Sequence, residues 1–389
     1  MKKPPLSMFS TENFKAIQKS GRINFGWLTC FIGNNGVGKS SLVEAIETFR
    51  DVALEGVDAA FRRWRGFEHV WNKARTRQLL ERRDHRPGFS HPLRFEAEWR
   101  SQRNELFKFK QSITQGPGGN SLFIQEEHVT KQRFRWSRDD SGVVFDQDDK
   151  SHAQKAPDFI APFADGESLL KKFAWDSFER WQFLLLNPDR MGQPSPEQRA
   201  TRVVKLARDG ANVAEYLNEI HTRNPAAFDG LLDALRYVLP YAVDLRPSFT
   251  SELERAFYLK LKEETYEVPG WLLSTGTLRI VALLACLRHP EPPPLLVIEE
   301  IENGLDPRTL HLVVEEIRAA ITAGTTQVIL TTHSPYLLDL LDLSHIVVVE
   351  REEGQPVFRR PDAEQLAEWS KSFSPGRLYT MGRLTRGDQ

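Results

Sequence analysis

Cysteine is nearly absent from this chain: its 389 residues hold only two, Cys30 and Cys286. Both lie inside apolar segments and read as small buried hydrophobes of a reducing compartment, which excludes a disulfide framework and a cysteine zinc cluster. An excess of one charge is lacking too. Lys and Arg number 52 against 53 Asp and Glu, a formal net charge of −1, so the bulk field does not recruit DNA. No run approaches about 18 uninterrupted apolar residues, so no membrane span is expected. The opening Met1-Lys2-Lys3-Pro4-Pro5 is basic without the apolar run of a signal peptide, and a cytoplasmic location follows as the expectation. Long heptad runs are missing, which excludes an extended coiled coil. At 40% hydrophobic and 27% charged residues the composition is that of a globular protein. The length exceeds one ordinary core, so a large α/β domain with an inserted or appended lobe is expected.

What is present starts with Gly33-Asn34-Asn35-Gly36-Val37-Gly38-Lys39-Ser40-Ser41, a match to G-x-x-x-x-G-K-[ST]. Leu28 to Ile32 before it reads as a buried strand and Ser41 to Ile46 after it as a helix, the context such a match requires. Glycines at 33, 36 and 38 let backbone N–H groups approach phosphates with no Cβ in the way. The positive end of the following helix faces the same charge. Asn34, Asn35, Gly36, Val37, Gly38, Lys39, Ser40 and Ser41 are therefore the expected nucleotide-binding residues. Lys39 is expected on the β and γ phosphates and the Ser40 hydroxyl on Mg²⁺.

Far downstream, Leu295-Leu296-Val297-Ile298-Glu299-Glu300 reads as an interior parallel strand ending in two carboxylates. Catalytic groups of open α/β sheets collect at such ends. Glu299 is expected to hold the Mg²⁺ shell through water, and Glu300 to orient or deprotonate the attacking water. A further strand, Gln327 to Leu330, leads to Thr331-Thr332-His333-Ser334-Pro335. There His333 is either a satisfied structural residue or a sensor of the γ-phosphate that positions the water. Leu273-Ser274-Thr275-Gly276-Thr277-Leu278-Arg279 opens an apolar helix. Ser274 with Gly276 is either a plain N-cap or a second phosphate-binding helix end that serves a nucleotide on a neighbouring copy.

In this order the four elements resemble the ABC-type ATPase heads of the SMC, RecF and Rad50 group. They are most similar to the small bacterial predicted ATPases related to the OLD proteins, grouped as AAA-type ATPases. Gly33–Ser41 resembles Walker A, Leu295–Glu300 Walker B, Ser274–Arg279 a shortened signature, Asn303–Pro307 the D-loop, and His333 the switch. Asn13-Phe14-Lys15-Ala16 and Asp209-Gly210-Ala211-Asn212-Val213-Ala214 are also similar. The resemblance implies an α/β P-loop NTPase of the ABC-ATPase-head type, with a β-rich segment and an inserted helical lobe. It implies ATP and Mg²⁺ as cofactors, Lys39, Glu300 and His333 as catalytic residues, and Ser40 and Glu299 as metal-site residues. It implies a homodimer with ATP clamped between one subunit's P-loop and the other's Ser274 and Gly276. Hydrolysis would drive that pairing and control a DNA-repair or phage-defence effector. The alternative is a nucleotide-gated scaffold that hydrolyses slowly and assembles a partner effector protein. The chain departs from the pattern in three places: Glu-Glu replaces Asp-Glu, Thr275 stands in the signature, and Asn187 or Gln182 stands where relatives carry a metal-sensing glutamine.

The expected layout is an ATPase core from residues 1–50 and 270–350, a β-meander plus helical lobe over 51–269, and a tail at 351–389. Two strands are expected before the P-loop. Period-two segments at Leu93–Trp99, Leu106–Ile113, Ser121–Gln125 and Phe134–Ser137 form the meander, Asp146–Asp165 reads as a loop, and helical patterns dominate Ala200–Tyr237. Arg62 to Arg86 carries nine Lys or Arg against three acids, with Trp64, Phe67 and Trp71 interleaved. It is either a solvated face whose tryptophans pack locally or a contact for double-stranded DNA.

Overall fold

A computed structural model of the chain describes residues 2–72, 91–115, 121–132, 134–139, 142–147, 150–155, 167–173, 175–197, 204–251 and 254–384. Two compact units emerge, Met1–Trp181 with Val347–Pro361 and Gln182–Ile346 with Asp362–Gln389.

The first unit is built on a long antiparallel sheet. Its order is Lys150–Lys155, Gly142–Gln147, Phe134–Asp139, Leu122–Lys131, Leu106–Gln115, Leu93–Arg100, Leu6–Phe14 and Ile17–Lys19, with Ile23–Asn24 paired to Leu6–Phe14. Alternation explains the strands: in Leu93–Arg100 every second residue is buried, so Leu93, Phe95, Ala97 and Trp99 line one face. Against that face packs the helix Lys39–Glu55, which buries Leu42, Val43, Ala45, Ile46, Phe49, Val52 and Ala53 at helical spacing. Phe49 is the hub, with ring centroids 5.7 Å from Phe9, 5.5 Å from Phe109 and 5.3 Å from Phe178. These contacts seat the helix that begins at Lys39.

Two expectations need correction here. Four strands rather than two precede the P-loop helix, because Ile17–Lys19 and Ile23–Asn24 are too short to show a period. The expected loop over 146–165 contains the strand Lys150–Lys155, paired antiparallel with Gly142–Gln147. Its sequence, KSHAQK, has no apolar alternation, and backbone pairing with the adjacent strand is what extends it.

The second unit has a parallel sheet in which Gln182–Leu184, Leu295–Ile298 and Gln327–Thr332 run side by side. Their register aligns Leu184, Ile298 and Leu330, so the three carboxyl ends stop at one edge. All four residues of Leu295–Ile298 are buried, as a strand covered on both faces requires. The helix Thr275–Leu287 is buried from Ile280 through Leu287, which makes it a central helix rather than a surface one. Helices Val213–Arg223, Pro225–Val238 and Pro307–Thr322 surround it. The region expected to be a helical lobe also carries a small antiparallel sheet of Ser195–Pro196, Ala256–Lys262, Asp244–Phe249 and Glu267–Pro269.

One buried carboxylate locks the β-rich part of the first unit. Glu127 is fully buried and accepts from Gln111 Nε2 (3.1 Å), Leu169 N–H (2.9 Å) and Ser168 Oγ, tying residues 168–169 to the meander. Burial pushes its carboxyl up from 4.5 to about 7, against the opposing pull of those donors and of Arg138. Between these two pH values the folded protein holds a proton that the unfolded chain has released, so stability falls as pH rises through the window and levels off above it. Glu127→Gln removes that loss. Urea unfolding of parent and variant between pH 5 and pH 8 should show the variant gaining up to roughly 3 kcal/mol relative to the parent. A difference that does not change with pH contradicts the assignment.

Candidate functional site

In the first unit the apolar strand Leu28–Ile32, buried throughout, delivers the chain into the loop and then the helix at Lys39. Gly36 and Gly38 have φ of 75° and 114°, values in the left-handed region that side chains rarely tolerate. At Gly33 a Cβ would lie 2.2 Å from the Val349 carbonyl oxygen, so backbone passes against backbone. Lys39 Nζ donates to the carbonyls of Gly33 (2.6 Å) and Asn34 (3.0 Å). The lysine is thus folded over the concave side of its own loop. Asn34, Asn35, Gly36 and Ser40 are exposed, Val37 and Ser41 half-buried.

The helix is held from behind by charge. Glu47 and Asp51, both buried, are bridged by Arg63 at 2.6 and 3.0 Å, and Asp51 also by Arg50 at 2.6 Å. Trp64 lies beneath Lys15 Nζ, 3.5 Å from the ring centroid, and donates to Thr48 Oγ1. Phe67 and Trp71 are buried. Of the interleaved aromatics two are therefore core and the third packs locally. The remainder of the basic stretch, residues 73–86, lies outside the described residues.

In the second unit the two glutamates and His333 stand at strand ends. Glu299, 3% exposed, donates its N–H to the Leu184 carbonyl and pairs with Arg208 Nη2 at 2.6 Å. Glu300 follows with φ of 50°, a strained value for a non-glycine residue that costs roughly 1–3 kcal/mol and clusters at functional sites. Its N–H donates to Thr331 Oγ1 (3.0 Å), and its carboxylate accepts from Asn303 Nδ2. Backbone turn and side-chain bond together fix this carboxylate beside Asn303. His333 stands at the next strand end, its backbone N–H donating to Glu302 Oε1 at 2.6 Å.

Ser274 caps the helix Thr275–Leu287, its Oγ accepting from Thr277 N–H, and the residue is exposed. A Cβ on Gly276 would sit 2.6 Å from the Gly304 carbonyl oxygen, and Gly304 has φ of 70°. The signature and the Asn303–Pro307 turn are thereby in backbone contact. Arg279 donates to the Leu186 carbonyl (2.9 Å). Burial pushes its guanidinium below the ordinary arginine value, while the charges of Glu300 and Glu302 oppose the shift. Asn187 Oδ1 caps the helix Pro188–Met191 by accepting from Asp189 N–H, and Gln182 Nε2 donates to the Leu206 carbonyl.

Comparison with known proteins gives the family and the fold. The family described as "AAA domain, putative AbiEii toxin, Type IV TA system" matches residues 28–339, and the chain belongs to it. Nod factor export ATP-binding protein I of Sinorhizobium fredii (strain NBRC 101917 / NGR234) is 29% identical over 170 residues, 43% of this chain and 46% of that protein. ABC transporter G family member 52 of Oryza sativa subsp. japonica is 25% identical over 159 residues, 40% of this chain and 11% of that protein. The chain therefore spans less than half the length of these curated relatives. Among solved structures, the Smc head domain with an extended coiled coil, bound to the C-terminal domain of ScpA derived from Pyrococcus furiosus, superposes with a TM-score of 0.52. Its identity is 13%, over 95% of this chain and 99% of that one. The SmcHead bound to the C-winged helix domain of ScpA gives 0.50 at 13% identity, over 93% and 99%. The fold is that of an ABC/SMC-type ATPase head. Among the described residues no helix is long and apolar enough to cross a membrane.

Sequence reading missed Arg208, Glu302, Thr331 and Arg279 as supports of the expected residues. The partners of the first three lie 91, 31 and 31 positions away, and no local motif announces them. The Gly276 contact yields a test. Gly276→Ala should lower unfolding stability by about 1–3 kcal/mol, the cost of overpacking a tight contact. Thermal or urea unfolding measures it; an unchanged midpoint means that the signature and the turn are not in register as described.

Proposed function

We propose that this head binds and hydrolyses ATP with Mg²⁺, and that two copies close on the nucleotide to control an effector protein. The observation that carries the hydrolytic reading is Glu300. It is a carboxylate held in the left-handed region at a strand end, with its N–H and its side chain each fixed by a partner. Such a group is pre-oriented to accept a proton from water. Lys39 would exchange its two loop carbonyls for phosphate oxygens, a stronger, charge-assisted pairing. Asn34 through Ser41 would bind the triphosphate along the loop backbone. The family match spans both this loop and Glu300, which supports their service to one nucleotide.

The donors present suit Mg²⁺. Ser40 offers an exposed hydroxyl in the first helical turn and Glu299 a carboxylate at a strand end, and one or two such ligands plus phosphates and water suffice for this ion. Asn187 would add an amide oxygen. Bound there, the ion would neutralise charge on the phosphates. His333, its backbone anchored by Glu302, would contact the γ-phosphate.

For pairing, the exposed Ser274 beside Gly276 would meet the nucleotide of a second copy. Both SMC heads of similar fold were solved with a ScpA domain bound, which supports a protein effector as the partner. Double-stranded DNA is the second candidate partner, and a DNA-repair or phage-defence setting is the proposed context.

Two variants separate binding from chemistry. Lys39→Ala should weaken ATP affinity about 10- to 100-fold, the worth of a charge-assisted contact, as read by calorimetric titration. Glu300→Gln should keep that affinity and slow single-turnover hydrolysis by about 10²–10⁴-fold. Unaltered affinity in a folded Lys39→Ala variant, or unaltered turnover in Glu300→Gln, contradicts the respective role.

A further inference from the structure

A buried carboxylate needs a counter-charge, and Glu299 has one supplied by the protein. Arg208 Nη2 stands 2.6 Å from Glu299 Oε1. The arginine reaches it from a segment far away in sequence whose backbone is itself locked. Leu185 N–H donates to the Arg208 carbonyl (2.8 Å) and Asn187 N–H to the Asp209 carbonyl (2.9 Å). On the other side Asn212 Oδ1 accepts from Ala207 N–H and its Nδ2 donates to the Lys205 carbonyl, while Asp209 Oδ1 accepts from Ala211 N–H. Gln182 Nε2 adds a bond to the Leu206 carbonyl. The segment 205–212 is thus a fixed bracket along the strand Gln182–Leu184, and Arg208 is its working side chain. That side chain is one-third exposed, whereas Glu299 is 3% exposed, so the guanidinium comes to the carboxylate from the open side.

We propose that Arg208 is a resident counter-cation that competes with the divalent metal for Glu299. With metal absent, the guanidinium pairs with the buried carboxylate and holds it oriented. When a metal engages Glu299, Arg208 gives up that oxygen, and the positive charge at the carboxylate is exchanged rather than added. The head thereby resists metal binding at this carboxylate until nucleotide phosphates supply the remaining ligands. Arg208 is a positioning residue for the site, acting through Glu299. The proposal rests on the reading of Glu299 as a metal-site residue.

The test uses Mn²⁺ as the metal probe, titrated by electron paramagnetic resonance with and without a non-hydrolysable ATP analogue, on the full chain. Arg208→Gln removes the competing charge, so Mn²⁺ without nucleotide should bind at least about fivefold tighter than to the parent, the lower range of a coupling between two sites. Its melting temperature should also rise on adding Mn²⁺, whereas the parent's should not. Arg208→Lys, which keeps the charge, should behave like the parent. Equal Mn²⁺ affinity in parent and Arg208→Gln overturns the proposal. Should Arg208→Gln fold poorly, the double variant Arg208→Gln with Glu299→Gln, which leaves no charge at this pair, should recover the melting temperature, and failure to recover counts against the pairing. Glu299→Gln alone tests the underlying reading: unchanged Mn²⁺ affinity with the analogue bound refutes Glu299 as a metal-site residue. A loss there with no effect of Arg208→Gln refutes only the competition.

Discussion

Backbone packed on backbone, with no side chain between, is the constraint on which each half of the candidate site rests. In the first unit the loop takes its shape with Gly33 packed against the Val349 carbonyl. In the second, the signature helix meets the turn after the acidic strand through Gly276 and the Gly304 carbonyl. A methyl group at either position would displace a main chain, not a flexible side chain, so the residues proposed for the site inherit their placement from these contacts. Lys39 follows Gly38 directly into its helix, and Glu300 leads into the turn that holds Gly304.

Charge is the second constraint. Four buried carboxylates are met by an arginine or by several donors: Glu47 and Asp51 by Arg63 and Arg50, Glu299 by Arg208, Glu127 by Gln111, Ser168 and Leu169. Leaving one of them without its partner would cost several kcal/mol. The pairs therefore act as placement devices as much as sources of stability. Arg63 fixes the rear of the P-loop helix, and Arg208 fixes the carboxylate proposed for the metal site.

How much of this was legible in the sequence depends on how far apart the cooperating residues lie. The P-loop, the acidic strand and the strand before His333 could each be read because strand, loop and helix follow one another without interruption. The supports could not. Arg208 meets Glu299 across 91 positions, and Thr331 meets Glu300 across 31, and a pattern of polar residues at such separations looks like ordinary surface. The antiparallel sheet around Ala256–Lys262 was hidden because its partner strands are short or contain proline, as Ser195–Pro196, Asp244–Phe249 and Glu267–Pro269 do. The aromatics of the basic stretch looked available for stacking; burial of Phe67 and Trp71 shows that local composition does not tell which way a ring faces.

The central proposal is that Lys39 and Glu300 serve one nucleotide. A crystal structure of the chain with an ATP analogue and Mg²⁺ tests it most directly. The account predicts that Lys39 Nζ leaves the Gly33 and Asn34 carbonyls for a phosphate oxygen. It also predicts that the Glu300 carboxylate faces the γ-phosphate of that same nucleotide, with Ser274 of a second copy on its far side. A nucleotide bound while Lys39 stays on those two carbonyls, or one whose γ-phosphate Glu300 does not face, would contradict it.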